Sequence, residues 1–154
     1  MIRKDKIVIF DLDGTLALID GRRDLATKDN GKFDWDVFFN PDNISLDLPN
    51  VTVIQMANIL HKQGFRIFIL SGRSDVTHQA TVNWLNDNGV WWDHLVMRPT
   101  DKKAHFMPDN DLKQMWLDDI GVVNVAMVFD DRNQVVDMWR KNGLTCFQVA
   151  DGNF

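Results

Sequence analysis

Two pairs of aspartates stand where apolar runs end, a position suited to phosphate chemistry. Asp11 and Asp13 follow the apolar run 7–10, and Asp130 and Asp131 follow a second such run. Carboxylates brought close together repel one another unless a cation lies among them, and Mg²⁺ prefers oxygen ligands combined with substrate phosphate. The two pairs therefore predict a magnesium site with these four aspartates as candidate ligands.

Asp11 and Asp13 also have a spacing that suits covalent catalysis on a phosphate monoester. Asp11, directly at the end of the run, is the candidate nucleophile and would form an aspartyl-phosphate. Asp13, two residues further along, can serve the leaving oxygen as a general acid and then the attacking water as a base. Gly14 would let the backbone approach the phosphate, and Thr15 can orient or bond Asp13.

A third cluster, Ser71, Gly72 and Arg73, follows another apolar run. A serine hydroxyl and the amides after it suit phosphoryl oxygens, and an arginine can donate two hydrogen bonds to them. Arg132, beside the second aspartate pair, has two interpretations, a phosphate contact or a surface ion pair. Taken alone, such residues also occur at ordinary turns and helix caps, so their meaning depends on where the fold places them.

The apolar runs alternate with helical stretches, which indicates how these residues are positioned. Strands are predicted at 6–10, 66–70, 95–97, 125–129 and 145–149, and helices at 51–63, 75–88, 109–119 and 133–142. This order predicts one doubly wound α/β domain over residues 1–154, with a parallel sheet of about five strands and right-handed crossovers. Ligands bind such sheets beyond the carboxyl ends of the strands. The residues named above would then meet at one edge.

Residues from about 20 to 50 interrupt this alternation. They are polar, contain glycine and proline, and carry an aromatic cluster of Phe33, Trp35, Phe38 and Phe39. A loop-rich segment of this length inside a compact domain usually has a function. We expect a small cap or lid over the site with the aromatic side chains packed inside it, and stacking on a nucleobase is the alternative for them.

Composition limits the classes of protein to consider. The 154 residues carry a net charge of −5, which argues against long, salt-driven binding to duplex DNA. Cys146 is the only cysteine, so no disulfide can form within the chain and nothing indicates an oxidising compartment. The apolar runs are too short to cross a bilayer, and residues 1–5 are not followed by the apolar stretch of a secretory signal. We expect a cytoplasmic protein without a membrane partner or an obligate protein partner.

Four motifs together resemble the haloacid dehalogenase (HAD) superfamily of phosphatases. Residues 11–15, Asp-Leu-Asp-Gly-Thr after an apolar strand, resemble motif I, Ser71 resembles motif II, and Asp130 and Asp131 resemble motif IV. Lys113 matches the motif III lysine. The resemblance spans nearly the whole chain and implies that Lys113 holds the phosphate and steadies the nucleophile.

A narrower resemblance is to the 3′-phosphatase domain of the bacteriophage polynucleotide kinase/phosphatase. It rests on residues 71–73, on Asp109 and Lys113 four residues apart, and on the stretches 130–140 and 146–154. That family removes 3′-phosphates from DNA or RNA ends and from nucleoside phosphates. A phosphomonoester on a nucleic-acid 3′ end or a nucleotide is therefore the substrate that the resemblance implies.

The narrower resemblance also implies a role for each site residue. These residues are the nucleophile Asp11, the acid and base Asp13, the phosphate ligands Ser71, Arg73 and Lys113, and the metal-side residues Asp130 and Asp131. The sequence departs from that family in containing no Walker A motif, so 5′-phosphorylation is not expected. It also has Asp101 where a basic residue is expected.

Several functions are compatible with these residues. A magnesium-dependent phosphatase acting on 3′-phosphates is the preferred one. A nucleotidase or a general small-molecule phosphatase would use the same residues, and so would a phosphotransferase that passes the aspartyl-phosphate to an alcohol. A binding module that keeps the fold without activity is the alternative from another class, disfavoured because Asp11, Asp13 and Lys113 are all present.

Overall fold

Strands and helices alternate along residues 6–154, which the computed structural model describes apart from the side chain of Lys102. The strands are β1 (Ile7–Phe10), β2 (Ala17–Leu18), β3 (Leu48–Pro49), β4 (Arg66–Ser74), β5 (His94–Arg98), β6 (Val125–Asp130) and β7 (Cys146–Gln148). The helices are α1 (Asp20–Ala26), α2 (Trp35–Phe38), α3 (Val51–Lys62), α4 (His78–Asp87), α5 (Lys102–His105), α6 (Asp109–Ile120) and α7 (Asn133–Lys141). None of the helices in the described range is long and apolar enough to span a membrane. The expectation about a secretory signal concerns residues 1–5, which lie outside that range.

A five-stranded parallel sheet in the order β5-β4-β1-β6-β7 forms the centre of the molecule. All four residues of β1 are buried, as is typical of a strand in a parallel sheet that is covered on both faces. Val8 and Phe10 pack in a core cluster with residues of α3 and α4, whereas Ile7 and Ile9 pack in a second cluster with residues of α6 and α7. The predicted doubly wound α/β fold is confirmed.

Most predicted elements are present with small shifts of their ends, and the largest shift is in β4. This strand continues beyond the predicted residue 70 because Ser74 pairs again with β5 after a shift in register. The helix predicted from residue 75 begins as a 3₁₀ turn, in which Ser74 Oγ accepts a hydrogen bond from the Val76 amide, and it becomes α-helical at His78. α5 and the short pair β2 and β3 were not predicted, because four-residue and two-residue elements show no periodicity.

Residues 20–50, which we call the cap, contain helices as well as loops. α1 and α2 are followed by a 3₁₀ turn at Pro41–Leu46, and the antiparallel pair of β2 and β3 closes the base of the segment. Asp34 is the N-cap of α2, because its carboxylate accepts hydrogen bonds from the amides of Asp36 and Val37. The cap therefore has an ordered structure of its own, and its action as a lid stays a prediction.

The aromatic cluster of the cap is only partly buried. Phe38 is buried in the core, and Phe33 and Phe39 pack against the same core. Trp35 contacts these three rings, yet 61% of its surface is exposed. The expectation that the cluster packs inside the cap is thus correct for three rings and leaves the position of Trp35 to be explained.

Leu85 in α4 provides a test of the core between the sheet and the cap. Its side chain is fully buried, so Leu85→Ala should lower the free energy of unfolding by about 2–5 kcal/mol through lost burial and a residual cavity. Leu25 in α1 is 55% exposed, and Leu25→Ala should change that free energy by less than about 0.5 kcal/mol. Urea unfolding followed by tryptophan fluorescence measures both variants. Equal losses in the two would contradict this placement of the core.

Candidate active site

The sheet brings both aspartate pairs to one edge. Phe10, the last residue of β1, is the register partner of Phe129 in β6. The amide of Asp11 donates to the Phe129 carbonyl at 2.9 Å, and Asp130 is the last residue of β6. Asp11 and Asp130 consequently lie side by side at the carboxyl end of the sheet, where ligands of such folds bind.

Asp11, Asp130 and Asp131 form a compact group that we call the acidic triad. One carboxylate oxygen from each residue lies within 4.8 Å of the other two, and all three residues are buried. Burial raises the pKa of Asp11 well above its usual range, and the two neighbouring carboxylates add to this rise, while Lys113 opposes it. Burial also raises the pKa of Asp131. Three buried carboxylates this close together favour a bound cation.

Lys113 lies between two members of the triad. Its Nζ donates to Asp11 Oδ1 at 2.7 Å and to Asp130 Oδ2 at 3.0 Å. It reaches them because it lies on the face of α6 that also buries Leu112 and Trp116. Burial alone would lower the pKa of Lys113, but Asp11 and Asp130 raise it above its ordinary value, so the ammonium group stays charged at neutral pH.

Thr15 and Gly14 contact the triad, whereas the sequence suggested contacts with Asp13 and with phosphate. Thr15 Oγ1 lies 3.2 Å from Asp11 Oδ2 and 3.3 Å from Asp131 Oδ1, so it can donate to either carboxylate. Gly14 has a φ of +82°, and a Cβ at this position would overlap Asp131 Oδ2. Glycine is therefore required here both by the backbone conformation and by the close approach of Asp131.

Asp13 is not part of the triad and is held by two buried arginines. Arg73 Nε donates to Asp13 Oδ1 at 2.7 Å, and a terminal nitrogen of Arg22 donates to the same oxygen at 2.9 Å. Burial alone would raise the pKa of Asp13, but Arg73 and Arg22 hold it below its ordinary value. Asp13 Oδ2 accepts no hydrogen bond from the part of the chain that the structure describes, which leaves this oxygen available to a substrate.

Asp47, near the end of the cap, completes an ion network with the same arginines. Asp47 Oδ1 accepts a hydrogen bond from Arg22 Nε at 2.9 Å, and Oδ2 accepts one from Arg73 at 2.5 Å. Arg73 also donates to Thr81 Oγ1 at 3.0 Å. Two carboxylates therefore balance two guanidinium groups. Arg73, predicted as a phosphate ligand, directs its side chain to Asp13 and Asp47 in this arrangement.

Arg22 and Asp47 are site residues that the sequence analysis missed. Arg22 lies in the polar seven-residue helix α1, and Asp47 directly follows a 3₁₀ turn. A charged residue in such a segment is ordinarily solvated, and neither residue has a spacing that suggests a site. Their complete or nearly complete burial is a property of the tertiary structure and leaves no signal in the sequence.

A second group of charges lies beside Gly72. Asp109 accepts a hydrogen bond from Arg98 and another, at 3.0 Å, from Arg132. A Cβ at Gly72 would lie 2.6 Å from Asp109 Oδ1, so glycine makes this approach possible. Arg132 thus forms an ion pair, one of the two interpretations of this residue, while a third of its side chain stays exposed.

Ser71 lies at the same edge of the sheet and is buried. Its Oγ accepts a hydrogen bond from the Arg73 amide at 3.1 Å. A hydroxyl that accepts one hydrogen bond can still donate its proton, but Ser71 does not line the cavity described below. Asp109 accepts hydrogen bonds from Arg98 and Arg132. The sequence analysis identified it only by its spacing of four residues from Lys113.

The tail after β7 passes directly against the acidic loop. The Asn133 amide donates to the Gly152 carbonyl at 2.9 Å. A Cβ at Gly152 would overlap the carbonyl oxygen of Asp131 and lie 2.6 Å from Arg132 Cα. Arg132 Nε in turn donates to the Phe154 carbonyl at 2.9 Å. The close passage at residue 152 therefore brings Phe154 to the site.

One cavity of about 930 Å³ joins these groups. A volume of this size is typical of sites for drug-sized ligands, and it exceeds what a phosphate group alone requires. Residues of the cap and of the tail line the cavity together with the charged groups. The candidate site residues among its lining are Asp11, Asp13, Gly72, Arg73, Lys113, Asp130, Asp131 and Arg132.

Comparison with known proteins finds one matching family and a similar viral protein. Residues 5–154 match the family described as "Polynucleotide kinase PNKP phosphatase domain". The "Putative bifunctional polynucleotide kinase/RNA ligase" of Autographa californica nuclear polyhedrosis virus is 33% identical over 141 residues, which are 88% of this chain and 18% of that protein. The chain therefore spans less than a fifth of the length of this relative.

Solved structures with the same fold include one similar in sequence and others that are distant. A chain in the Pnkp1/Rnl/Hen1 RNA repair complex superposes with a TM-score of 0.75 at 34% identity, over 97% of this chain and 44% of that chain. A "predicted phosphatase" from Clostridium acetobutylicum superposes with a TM-score of 0.71 at 16% identity, over 94% of this chain and 84% of that chain. At 16% identity, the similarity to the Clostridium acetobutylicum protein shows a shared fold only.

Two glycines with similar backbone conformations provide a test of the triad. Gly14→Ala and Gly31→Ala both place a Cβ at a positive φ, at +82° and +78°, which costs about 1–2 kcal/mol. Only a Cβ at Gly14 meets Asp131, because Gly31 has open space around it. Gly14→Ala should therefore lower the free energy of unfolding by more than Gly31→Ala does. It should also weaken Mg²⁺ binding at least about tenfold, since a displaced ligand or supporting group has effects of this size.

Urea unfolding and a Mg²⁺ titration of both variants measure these effects. Identical Mg²⁺ affinities in Gly14→Ala and Gly31→Ala would show that Asp131 does not take part in binding the cation.

Proposed function

The chain belongs to the family of polynucleotide kinase PNKP phosphatase domains, and we propose that it removes 3′-phosphates from nucleic-acid ends in a magnesium-dependent reaction. As a HAD-type phosphatase it acts on phosphomonoesters. The acidic triad, joined to Lys113 at the edge of a 930 Å³ cavity, is the observation that carries the proposal. It combines a nucleophile, a fixed positive charge and a cation site within a few ångströms.

The triad and Lys113 fit a divalent cation in both charge and chemistry. Three carboxylates and one ammonium group leave two negative charges without a partner among these four side chains. Carboxylate oxygens are the ligands that Mg²⁺ prefers. Asp11, Asp130 and Asp131 would hold the ion. When bound, Mg²⁺ would reduce the repulsion between the nucleophile and the anionic phosphate.

Asp11 is the proposed nucleophile. One of its carboxylate oxygens forms a bond to phosphorus while the bond between phosphorus and the 3′-oxygen breaks, which produces an aspartyl-phosphate. Water then attacks phosphorus and releases inorganic phosphate and the free carboxylate. Lys113, 2.7 Å from Asp11 Oδ1, orients the carboxylate and opposes the rise of its pKa that burial causes. Lys113 and the Ser71 hydroxyl are the proposed ligands of the transferring phosphoryl group.

Asp13 is the proposed proton carrier. Arg22 and Arg73 hold its pKa low, so the carboxylate form prevails in the free protein at neutral pH. An arriving phosphate anion raises the proton affinity of the carboxylate by repulsion, and a monoanionic phosphate monoester, with a second pKa of about 6, can supply the proton. Asp13 then protonates the leaving 3′-oxygen and later accepts a proton from the attacking water. Arg22, Arg73 and Asp47 act through Asp13 as positioning residues.

The proposed substrate rests on the relatives and on the size of the cavity. The similar proteins have names that refer to a polynucleotide kinase/RNA ligase and to an RNA repair complex. A cavity of about 930 Å³ can accommodate a nucleotide at the end of a strand. An RNA or DNA 3′ end is accordingly the first substrate to test. The presence of a similar chain in an RNA repair complex also makes a protein partner a hypothesis for this chain.

Release of phosphate from a defined set of substrates tests the function. With Mg²⁺, the protein should act faster on a 3′-phosphorylated oligonucleotide than on its 5′-phosphorylated isomer or on nucleoside 5′-monophosphates. Asp11→Asn should reduce the release to background, and EDTA should have the same effect on the unmodified protein. Activity on mononucleotides without activity on the oligonucleotide would favour a nucleotidase, and an Asp11→Asn variant with full activity would exclude the covalent route. Phosphorylated products in added alcohol would indicate a phosphotransferase.

Asp13→Asn separates the two chemical steps. For a 3′-phosphorylated oligonucleotide, whose leaving oxygen needs a proton, turnover should fall by about 10²–10⁴-fold. p-Nitrophenyl phosphate has a leaving group that needs no proton, so the variant should release p-nitrophenolate in a burst equal to the enzyme concentration and then slowly. Stopped-flow absorbance measures the burst. Unchanged turnover of the oligonucleotide would refute the role of Asp13.

A further inference from the structure

The cavity above the triad carries aromatic side chains and guanidinium groups on its rim. Buried charged groups near Asp11 line it, and so do Trp35 of the cap and Phe154 of the tail, whose surfaces are 61% and 54% exposed. Arg23 of α1 and Arg132 line the same cavity. A phosphoryl group binds to hydrogen-bond donors and cations, so the exposed aromatic rings of this cavity suit another part of a substrate.

Trp35 is exposed but held in place. Its ring centroid lies 4.7 Å from that of Phe33, 6.0 Å from that of Phe38 and 5.7 Å from that of Phe39. These three rings are buried or partly buried against the core, and they fix the indole from one side. More than half of the indole surface stays free of these contacts. The cap therefore presents an ordered indole surface to the cavity at little further entropic cost.

Two guanidinium groups from different parts of the molecule lie over the ring of Phe154. The guanidinium carbon of Arg23, in the cap, is 5.1 Å from the ring centroid, and that of Arg132, after β6, is 5.6 Å from it. Cations at this distance are attracted to the face of an aromatic ring. Alternating rings and cations are the combination that binds single-stranded nucleic acid, since the rings stack on bases and the cations contact the backbone.

From this arrangement we propose that Trp35 forms a stacking surface for the nucleobase of an unpaired 3′-terminal nucleotide, while Phe154 holds Arg23 beside the cavity for a backbone phosphate. The proposal rests on the proposed function and specifies its substrate as a single-stranded 3′ end. The base supplies binding energy remote from phosphorus, which positions the phosphate over Asp11. A base paired in a duplex would first have to leave its partner and its stack, so a frayed or single-stranded end is preferred.

Two oligonucleotides of equal length and identical sequence, both with a 3′-phosphate, test the stacking site. One ends in a normal nucleotide and the other in a tetrahydrofuran abasic analogue, which cannot lose its phosphate by β-elimination, so they differ chiefly in the base. For the unmodified protein with Mg²⁺, kcat/KM should be at least about tenfold higher for the base-bearing strand, since stacking on an aromatic ring contributes about 1–3 kcal/mol per base. Glycerol 2-phosphate reports the activity at Asp11 without any base.

Three variants distinguish stacking from a structural effect. Trp35→Ala should reduce the preference for the base-bearing strand about tenfold, and Trp35→Phe should restore most of it because an aromatic face is kept. Trp91 is the matched control: it is also exposed, but it stacks on His61 and does not line the cavity. Trp91→Ala should keep the full preference. Phe154→Ala should lower kcat/KM on both strands to a similar extent and keep the preference, because its ring holds Arg23 and does not stack on the base.

The outcomes separate this inference from the proposed function. Equal kcat/KM for the two strands in the unmodified protein would refute the stacking site and leave the 3′-phosphatase activity standing. An equal loss on both strands in Trp35→Ala, not restored by Trp35→Phe, would also refute it, because a structural role predicts that result. Hydrolysis of glycerol 2-phosphate without activity on either strand would refute the proposed function and this inference with it.

Discussion

Negative charge concentrated at the carboxyl end of β1 is the constraint on which the rest of the structure depends. Asp11, Asp130 and Asp131 are buried together, and buried charges are tolerated only with partners. Lys113 from α6 supplies one positive charge at hydrogen-bonding distance from two of them. The triad keeps an excess of negative charge, which favours a bound cation. Lys113 reduces the repulsion among the three carboxylates.

The cap belongs to the same electrostatic arrangement. Arg22 and Asp47 come from its two ends, and they meet Asp13 and Arg73 of the central domain in a network of equal and opposite charges. Removing one partner from such a buried network is strongly unfavourable, because it leaves an uncompensated charge. The cap is thus attached to the site through Asp13, the proposed proton carrier, and the position of the cap and the charge of Asp13 depend on each other.

The parts of this arrangement that sequence could predict are those governed by a repeating pattern. Asp11 and Asp130 were placed correctly at one edge because each follows an apolar strand and parallel strands end on the same side of a sheet. Lys113 was found only through family resemblance, since one lysine on a helix is usually solvated. Arg22 could not be found, because its burial results from folding of the cap, which has no regular period. Thr15 contacts Asp11 and Asp131 where the sequence suggested Asp13, and the contacts of Arg73 with Asp13 and Asp47 were not predicted. The position of a residue at a strand end determines where its backbone lies, but neighbouring segments determine the direction of its side chain.

The contact at Gly152 restricts how the sequence of this molecule can vary. The tail leaves no room for a side chain there, and the backbone that it touches belongs to Asp131 and Arg132. Any replacement would have to move either the tail or the loop that carries a triad carboxylate. Gly152 lies eleven residues beyond the end of α7, yet a substitution there would require a compensating change in the acidic loop.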